Sequence, residues 1–409
     1  MTRRAYKEPR VILVLSEVPA VKHLALLLLF TTPLMAQPKL FPPDPEMPAV
    51  KLPDLLAGTT TTEQWQSKRR PEVLELFRTH VYGRVPATKY EQAYKVVKED
   101  KAALDGKATL KEVDIVISRG GKSLTIRLNV FTPNAAKGPV PAFLLICNRG
   151  KTAADPTRLQ KAEFWPVEEG IARGFAMAAF LNSDVDPDKD DGFKDGIHGL
   201  LDVEPRTDSS WGTLAAWAWG ASRCLDYLVT DPAIAKDNVA VIGHSRGGKT
   251  ALWAGAEDQR FALTISNDSG CGGAGISRRK FEGKEQIARI TKSFPHWFCG
   301  KYKSYGDNED ASPVDQHMLL ALIAPRAVAV GSAFDDKWAD PRGEFLSLVH
   351  AEPAFKLLGK QSLGTAVMPV VNNPLNSDVM HYHIRPGKHD LMLSDWTMYW
   401  DFADKVFRK

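Results

Sequence analysis

The chain has 409 residues, 44% hydrophobic and 25% charged, which excludes a disordered or fibrous protein and is enough for one large α/β domain or two ordinary ones. Its net charge is +4, and residues 1–36 hold five basic and two acidic residues, so only +1 remains for everything after them. That balance excludes general attraction to nucleic acid or anionic membranes.

The apolar run 24–30 is too short to span a bilayer. With Lys22 before it and Ala36 after it, residues 1–36 read as a signal peptide cleaved near Gln37, and the protein as secreted or periplasmic, with no membrane association beyond export. Export permits disulfides. Cys147 and Cys224 fall in apolar elements and read as buried, whereas Cys271 and Cys299 fall in loop-like stretches and are candidates for a bridge. No C-x-x-C pair exists, so no zinc pattern is expected.

Residues 37–56 are proline-rich and read as an extended arm. A helix is expected over 62–80, from the spacing of Trp65, Val73, Leu74, Leu76 and Phe77. The alternation Val113, Ile115, Ile117 and Leu124, Ile126, Leu128, Val130 predicts an antiparallel hairpin over 109–118 and 123–133. Residues 140–147 and 175–181 are apolar throughout, as strands covered on both faces would be, with a helix between them over 162–173. The acidic stretch 184–195 lacks the spacing and flanking helices of an EF-hand and reads as a solvated loop. A helix over 213–228, rich in Ala and Trp, precedes the strand that ends at Gly243.

Gly243-His244-Ser245-Arg246-Gly247 then fits the Gly-x-Ser-x-Gly nucleophile elbow, with a β-branched run before it and a helical pattern after it. Ser245 is the candidate nucleophile. Further strands are expected over 261–265, 327–331 and 379–384, with helices over 316–323, 343–358 and 396–407 and an irregular insertion up to about residue 313. A hairpin followed by repeated strand-helix units predicts an α/β-hydrolase fold: a doubly wound, mostly parallel sheet with an antiparallel N-terminal hairpin in a three-layer sandwich. Nothing divides residues 37–409, which read as a single catalytic domain.

A serine hydroxyl needs a base within hydrogen-bonding reach, and the base needs an acid to fix its tautomer. His389 stands in the loop after the last strand, where this fold places the base, while His381 and His383 alternate within the strand itself. Asp268 and Asp336 both stand at strand ends between nucleophile and histidine, and Asp335 and Asp340 are neighbours that fit the same order. No cofactor or metal is expected.

Gly243-His244-Ser245-Arg246-Gly247-Gly248-Lys249, Asn267-Asp268-Ser269-Gly270-Cys271-Gly272-Gly273, Leu322-Ile323-Ala324-Pro325-Arg326 and Gly387-Lys388-His389, in that order, resemble the glucuronoyl esterases of carbohydrate esterase family 15, more the bacterial than the fungal branch. The resemblance covers nearly the whole chain from about Lys51. It implies that Ser245 attacks the ester joining a glucuronic acid of xylan to a lignin alcohol, that Arg246 helps hold the oxyanion, and that Lys249, Glu285 and Trp338 contact the sugar. A cation at a helix start opposes the macrodipole, which gives Arg246 an independent functional reason. Family members commonly carry glutamate where this chain has Asp268, while some bacterial members place the acid where Asp336 stands. Both remain candidates, with Asp336 favoured. Arg149 follows a strand whose loop often supplies an oxyanion donor, or is simply solvated. The expected partner is glucuronoxylan or a lignin-carbohydrate ester, taken by a monomer. An acetyl xylan esterase and a non-catalytic carbohydrate-binding homologue are the competing readings.

Overall fold

The computed structural model describes residues 39–408, except 45, 46 and 48. The candidate leader, 1–36, lies outside the described residues. From Lys39 onward the chain forms one compact unit. No helix among the described residues is long and apolar enough to cross a membrane.

Strands β1 (Glu91–Ala103), β2 (Ala108–Arg119) and β3 (Lys122–Pro133) form an antiparallel ribbon. They join β4 (Val140–Cys147), β5 (Ala176–Leu181), β6 (Ile234–His244), β7 (Leu263–Asn267), β8 (Ala327–Ala333), β9 (Leu375–Asn376) and β10 (Met380–Arg385) in a single sheet of order β1-β2-β3-β5-β4-β6-β7-β8-β10-β9. The run from β5 to β10 is parallel. The chain goes from β4 to β5 on one side and then returns to β6 on the other. This reversal is the crevice where ligands of such sheets bind.

The expected hairpin is present with nearly its expected bounds, but β1 was not anticipated. Its side chains are largely exposed on both faces, so it carries no apolar alternation for a pattern to reveal. It is held by its ladder to β2, and its lysines suit a sheet edge. The helix expected over 162–173 is only Val167–Ala172, with Pro166 at its start. Helix Thr213–Leu228 matches its expected span, and fourteen of its sixteen residues are buried, which accounts for apolar residues all around it.

Helices cover both faces. On β10, Tyr382 meets Phe345 of helix Pro341–Leu357 at 5.0 Å between ring centres, whereas His383 meets Tyr399 of helix Leu393–Phe407 at the same distance. Successive residues of a strand face opposite ways, so these two helices lie on opposite sides. The three-layer α/β-hydrolase architecture is as expected. The proline-rich arm is pinned rather than loose: Asp44 pairs with Arg279 at 2.8 Å and Arg342 at 2.9 Å.

All four cysteines are free and buried. The bridge considered for Cys271 and Cys299 is absent, because Cys271 Sγ lies 3.8 Å from Tyr302 Oη while Cys299 Sγ lies 3.6 Å from Thr79 O.

Candidate active site

Ser245 follows β6 and caps helix Arg246–Glu257, with φ 57° and ψ −123°. The chain turns directly from strand to helix at this residue, and the neighbours must be small. A Cβ on Gly243 would stand 2.0 Å from Gly247 O, and one on Gly248 would stand 3.0 Å from Ser269 Cβ. The strain sits on the serine, whose hydroxyl is thereby held clear of the sheet. The Ser245 N–H donates to Asn267 O at 2.9 Å, fixing the elbow to β7.

His389 lies beyond β10 with its side chain 38% exposed, so it is reachable by solvent and substrate. Its ring packs 4.4 Å from that of His244, the residue before Ser245. Its Nδ1 lies 2.6 Å from Asp336 Oδ2. That partner assigns the proton to Nδ1 and leaves Nε2 with a lone pair for a hydroxyl proton. Among the hydrogen bonds of the described residues, none joins Ser245 Oγ to His389, as is common before substrate binds.

Asp268, Asp336 and His389 converge, with one ligand atom of each within 4.8 Å of the others. The two carboxylates are nevertheless differently engaged. Asp268 accepts from Ala333 N at 2.6 Å and from Arg385 at 3.4 Å, so each of its oxygens already has a donor. Burial and the nearby carboxylates of Glu344, Asp336 and Asp395 push its carboxyl well above the ordinary range, against the pull of Arg385. Of the other acids in the same order, Asp335 is exposed and Asp340 is committed to Arg279 and to capping helix Pro341–Leu357. His381 and His383 are buried in a chain of hydrogen bonds running from Asn376 to Asp395.

The loop bearing His389 is braced by two arginines, of which Arg385 has no signal in the sequence. Arg385 donates to Pro386 O at 3.0 Å and Asp390 O at 2.5 Å, bracketing the loop. Arg149 pairs with Asp390 at 2.5 Å and reaches His244 Nε2 at 3.1 Å. It is therefore not simply solvated.

Arg246 pairs with Asp188 and lies 4.7 Å above the Trp297 ring. Its Nε is buried without a hydrogen-bond partner. The backbone N–H of Arg246, first in its helix, also has no helical carbonyl within reach. Both are donors suited to an anion. The expectation of a solvated loop over 184–195 holds for much of the stretch, with Asp188, Lys189 and Asp190 exposed, but not for Asp186, and Asp188 is tied down by side chains from elsewhere. Asp186 is 4% exposed and bonded to Thr213, and Asp188 takes His296 Nε2 at 2.9 Å and Trp297 Nε1 at 2.7 Å besides Arg246. Repeated aspartates hid which of them turn inward.

Lys249 follows Ser245 by one helical turn and is almost completely buried. Its Nζ contacts Glu285 Oε2 at 2.8 Å and Ser269 O at 2.5 Å. Glu285 N donates to Trp338 O at 2.9 Å, so Lys249, Glu285 and Trp338 stand together. Glu282, the neighbouring acid, is exposed. Trp338 is half-buried, with the Arg289 guanidinium 4.2 Å over its ring.

The family model described as glucuronyl esterase, fungi matches residues 115–359. Carbohydrate esterase MZ0003, from an unknown prokaryotic organism, is 41% identical over 408 residues, covering 90% of this chain and 93% of that protein. A 4-O-methyl-glucuronoyl methylesterase of Schizophyllum commune is 29% identical over 315 residues, 73% of this chain and 70% of that one. Among solved structures, a glucuronoyl esterase from Solibacter usitatus superposes with a TM-score of 0.82 at 39% identity, covering 88% of this chain and 99% of that one.

Proposed function

Because this chain belongs to the glucuronoyl esterases of carbohydrate esterase family 15, a family of carboxylic ester hydrolases, we propose that it cleaves esters of 4-O-methyl-glucuronic acid, such as those linking glucuronoxylan to lignin. Ser245 Oγ attacks the ester carbonyl while His389 Nε2 takes its proton. Asp336 holds the Nδ1–H and offsets the charge of the imidazolium. The Arg246 backbone N–H and guanidinium stabilise the oxyanion. His389 then protonates the departing alcohol, and a water deprotonated by the same imidazole releases the glucuronate and restores Ser245.

The acid assignment favours Asp336 because a triad acid must be ionised. Asp336 gives an oxygen to His389, whereas Asp268 has both oxygens engaged and its charge disfavoured. Asp268 supports the loop that receives them.

The observation that carries the substrate reading is the buried Lys249–Glu285 pair beside Trp338, one helical turn from the nucleophile. A simple acetyl esterase needs no such polar floor. A carboxylate and an ammonium held at hydrogen-bonding distance offer an acceptor and a donor to adjacent sugar hydroxyls, and the indole offers an apolar face. The candidate leader fits export to the place where a polymeric ester is met, ahead of one catalytic domain over 37–409. The test is kcat/KM on methyl 4-O-methyl-glucuronate and on acetylated xylan side by side. Preference for the uronate ester is expected, and preference for acetate would overturn the substrate assignment.

A further inference from the structure

We propose that Asp188 is a positioning residue for the reaction: its carboxylate, itself held by His296 and Trp297, aims the Arg246 guanidinium at the oxyanion. This rests on reading Arg246 as an oxyanion donor. Asp188 Oδ1 accepts from two aromatic ring nitrogens, at 2.9 Å from His296 and 2.7 Å from Trp297, and Oδ2 receives Nη1 of Arg246. A carboxylate tied at one oxygen by two rings has little freedom to swing. Hydrogen bonds from those rings and the charge of Arg246 outweigh burial and bring its carboxyl down to about 2, so it stays ionised wherever the esterase would work.

The form of the ion pair separates aiming from simple neutralisation. An arginine that only neutralised the Asp188 carboxylate would present two nitrogens to it in the stronger bidentate geometry. Arg246 instead gives Asp188 a terminal nitrogen and keeps Nε buried with no partner. Its plane is further fixed over Trp297 at 4.7 Å, with Phe294 stacked against that indole at 3.8 Å. Among the described residues Nη2 has no hydrogen-bond partner, and it is not sealed from the surface as Nε is. Charge forming on the carbonyl oxygen gives it an acceptor only during reaction, which is the condition for lowering the barrier rather than tightening substrate binding.

Aiming and charge neutralisation predict opposite signs. If Asp188 merely dampened the charge of Arg246, removing its charge would speed the reaction a few-fold, the scale of a partly exposed ion pair. If it aims the guanidinium, Asp188→Asn slows kcat by about 10- to 100-fold, the effect of displacing one oriented donor by about 1 Å, with KM little changed. The experiment measures kcat and KM on methyl 4-O-methyl-glucuronate for Asp188→Asn, Trp297→Phe, Arg246→Ala and the double variant Asp188→Asn/Arg246→Ala, with thermal melting and fluorophosphonate labelling of Ser245 as folding controls. Trp297→Phe keeps a ring and removes one hydrogen bond to Asp188, so a smaller loss in kcat is expected even where Asp188→Asn fails to fold. The loss from Asp188→Asn is expected to vanish in the Arg246→Ala background. Equal or faster turnover by both Asp188→Asn and Trp297→Phe, or losses that multiply in the double variant, overturns the proposal. Undiminished activity of Arg246→Ala overturns the oxyanion reading on which it rests, whereas a crippled Arg246→Ala beside an active Asp188→Asn overturns the role of Asp188 alone.

Discussion

Asp336→Asn should lower kcat by about 10⁴ with the fold intact. The magnitude follows from the 2.6 Å contact between Asp336 Oδ2 and His389 Nδ1 at a carboxylate only 5% exposed. During acylation the imidazole becomes cationic, and an opposite charge about 4 Å away at an effective dielectric near 20 is worth roughly 4 kcal/mol. That is about three orders of magnitude in rate. The amide also permits the wrong tautomer, with the proton on Nε2 where the base must be bare, which adds to the loss. Asp268→Asn should cost on the order of tenfold or less in kcat, because it removes one acceptor from the Ala333 and Arg385 donors rather than the partner of the histidine. The assay is kcat for methyl 4-O-methyl-glucuronate at saturating substrate, with thermal melting of each variant alongside. If Asp268→Asn loses as much as Asp336→Asn, the reasoning from the hydrogen bonds is wrong, and the earlier strand end carries the acid.

Lys249→Met should reduce kcat/KM on glucuronate esters by about 10- to 100-fold while p-nitrophenyl acetate is hydrolysed almost as before. Because it leaves Glu285 buried without its cation, its stability should also fall by about 3–5 kcal/mol in denaturant titration. Burial pushes the carboxyl of Asp186 up to about 7, outweighing its hydrogen bond from Thr213. The folded protein therefore keeps a proton that the unfolded chain releases near pH 4, and folding weakens as pH rises from about 4 to about 7. Asp186→Asn removes this penalty, so its melting temperature relative to the parent should climb across that interval; a constant difference would refute the burial argument. Gly243→Ala should abolish activity and folding yield together, since the added methyl would meet Gly247 O at 2.0 Å, a backbone atom that cannot turn away.

Much of the fold is legible in the sequence where burial imposes a pattern. Strand β2 alternates because one face of it is buried, the second half of β3 is buried on both faces, and β4 is apolar throughout because both its faces are buried. The exposed strand β1 has no such pattern. The acidic stretch around Asp188 misleads for a related reason: a run of aspartates carries no sign of which member meets an arginine brought in from elsewhere. Asp268 and Asp336 are likewise equivalent in chain order, each at a strand end between Ser245 and His389.

What the sequence determines by itself is the elbow. Its requirements are local: any Cβ on Gly243 would strike the backbone of Gly247, and Ser245 must bear the strained turn between them. Chemistry written within five residues can be read within five residues. The partners of that serine's neighbours are decided only by tertiary structure, because Arg246 and Asp188 lie 58 residues apart, and His389 and Asp336 lie 53 apart. Their meeting depends on strand order and register, which bring the ends of β6, β7, β8 and β10 side by side. A change of one residue in register would turn each strand's side chains to the other face. The sequence thus names the candidate nucleophile, while the tertiary fold decides which carboxylate meets His389 and which meets Arg246.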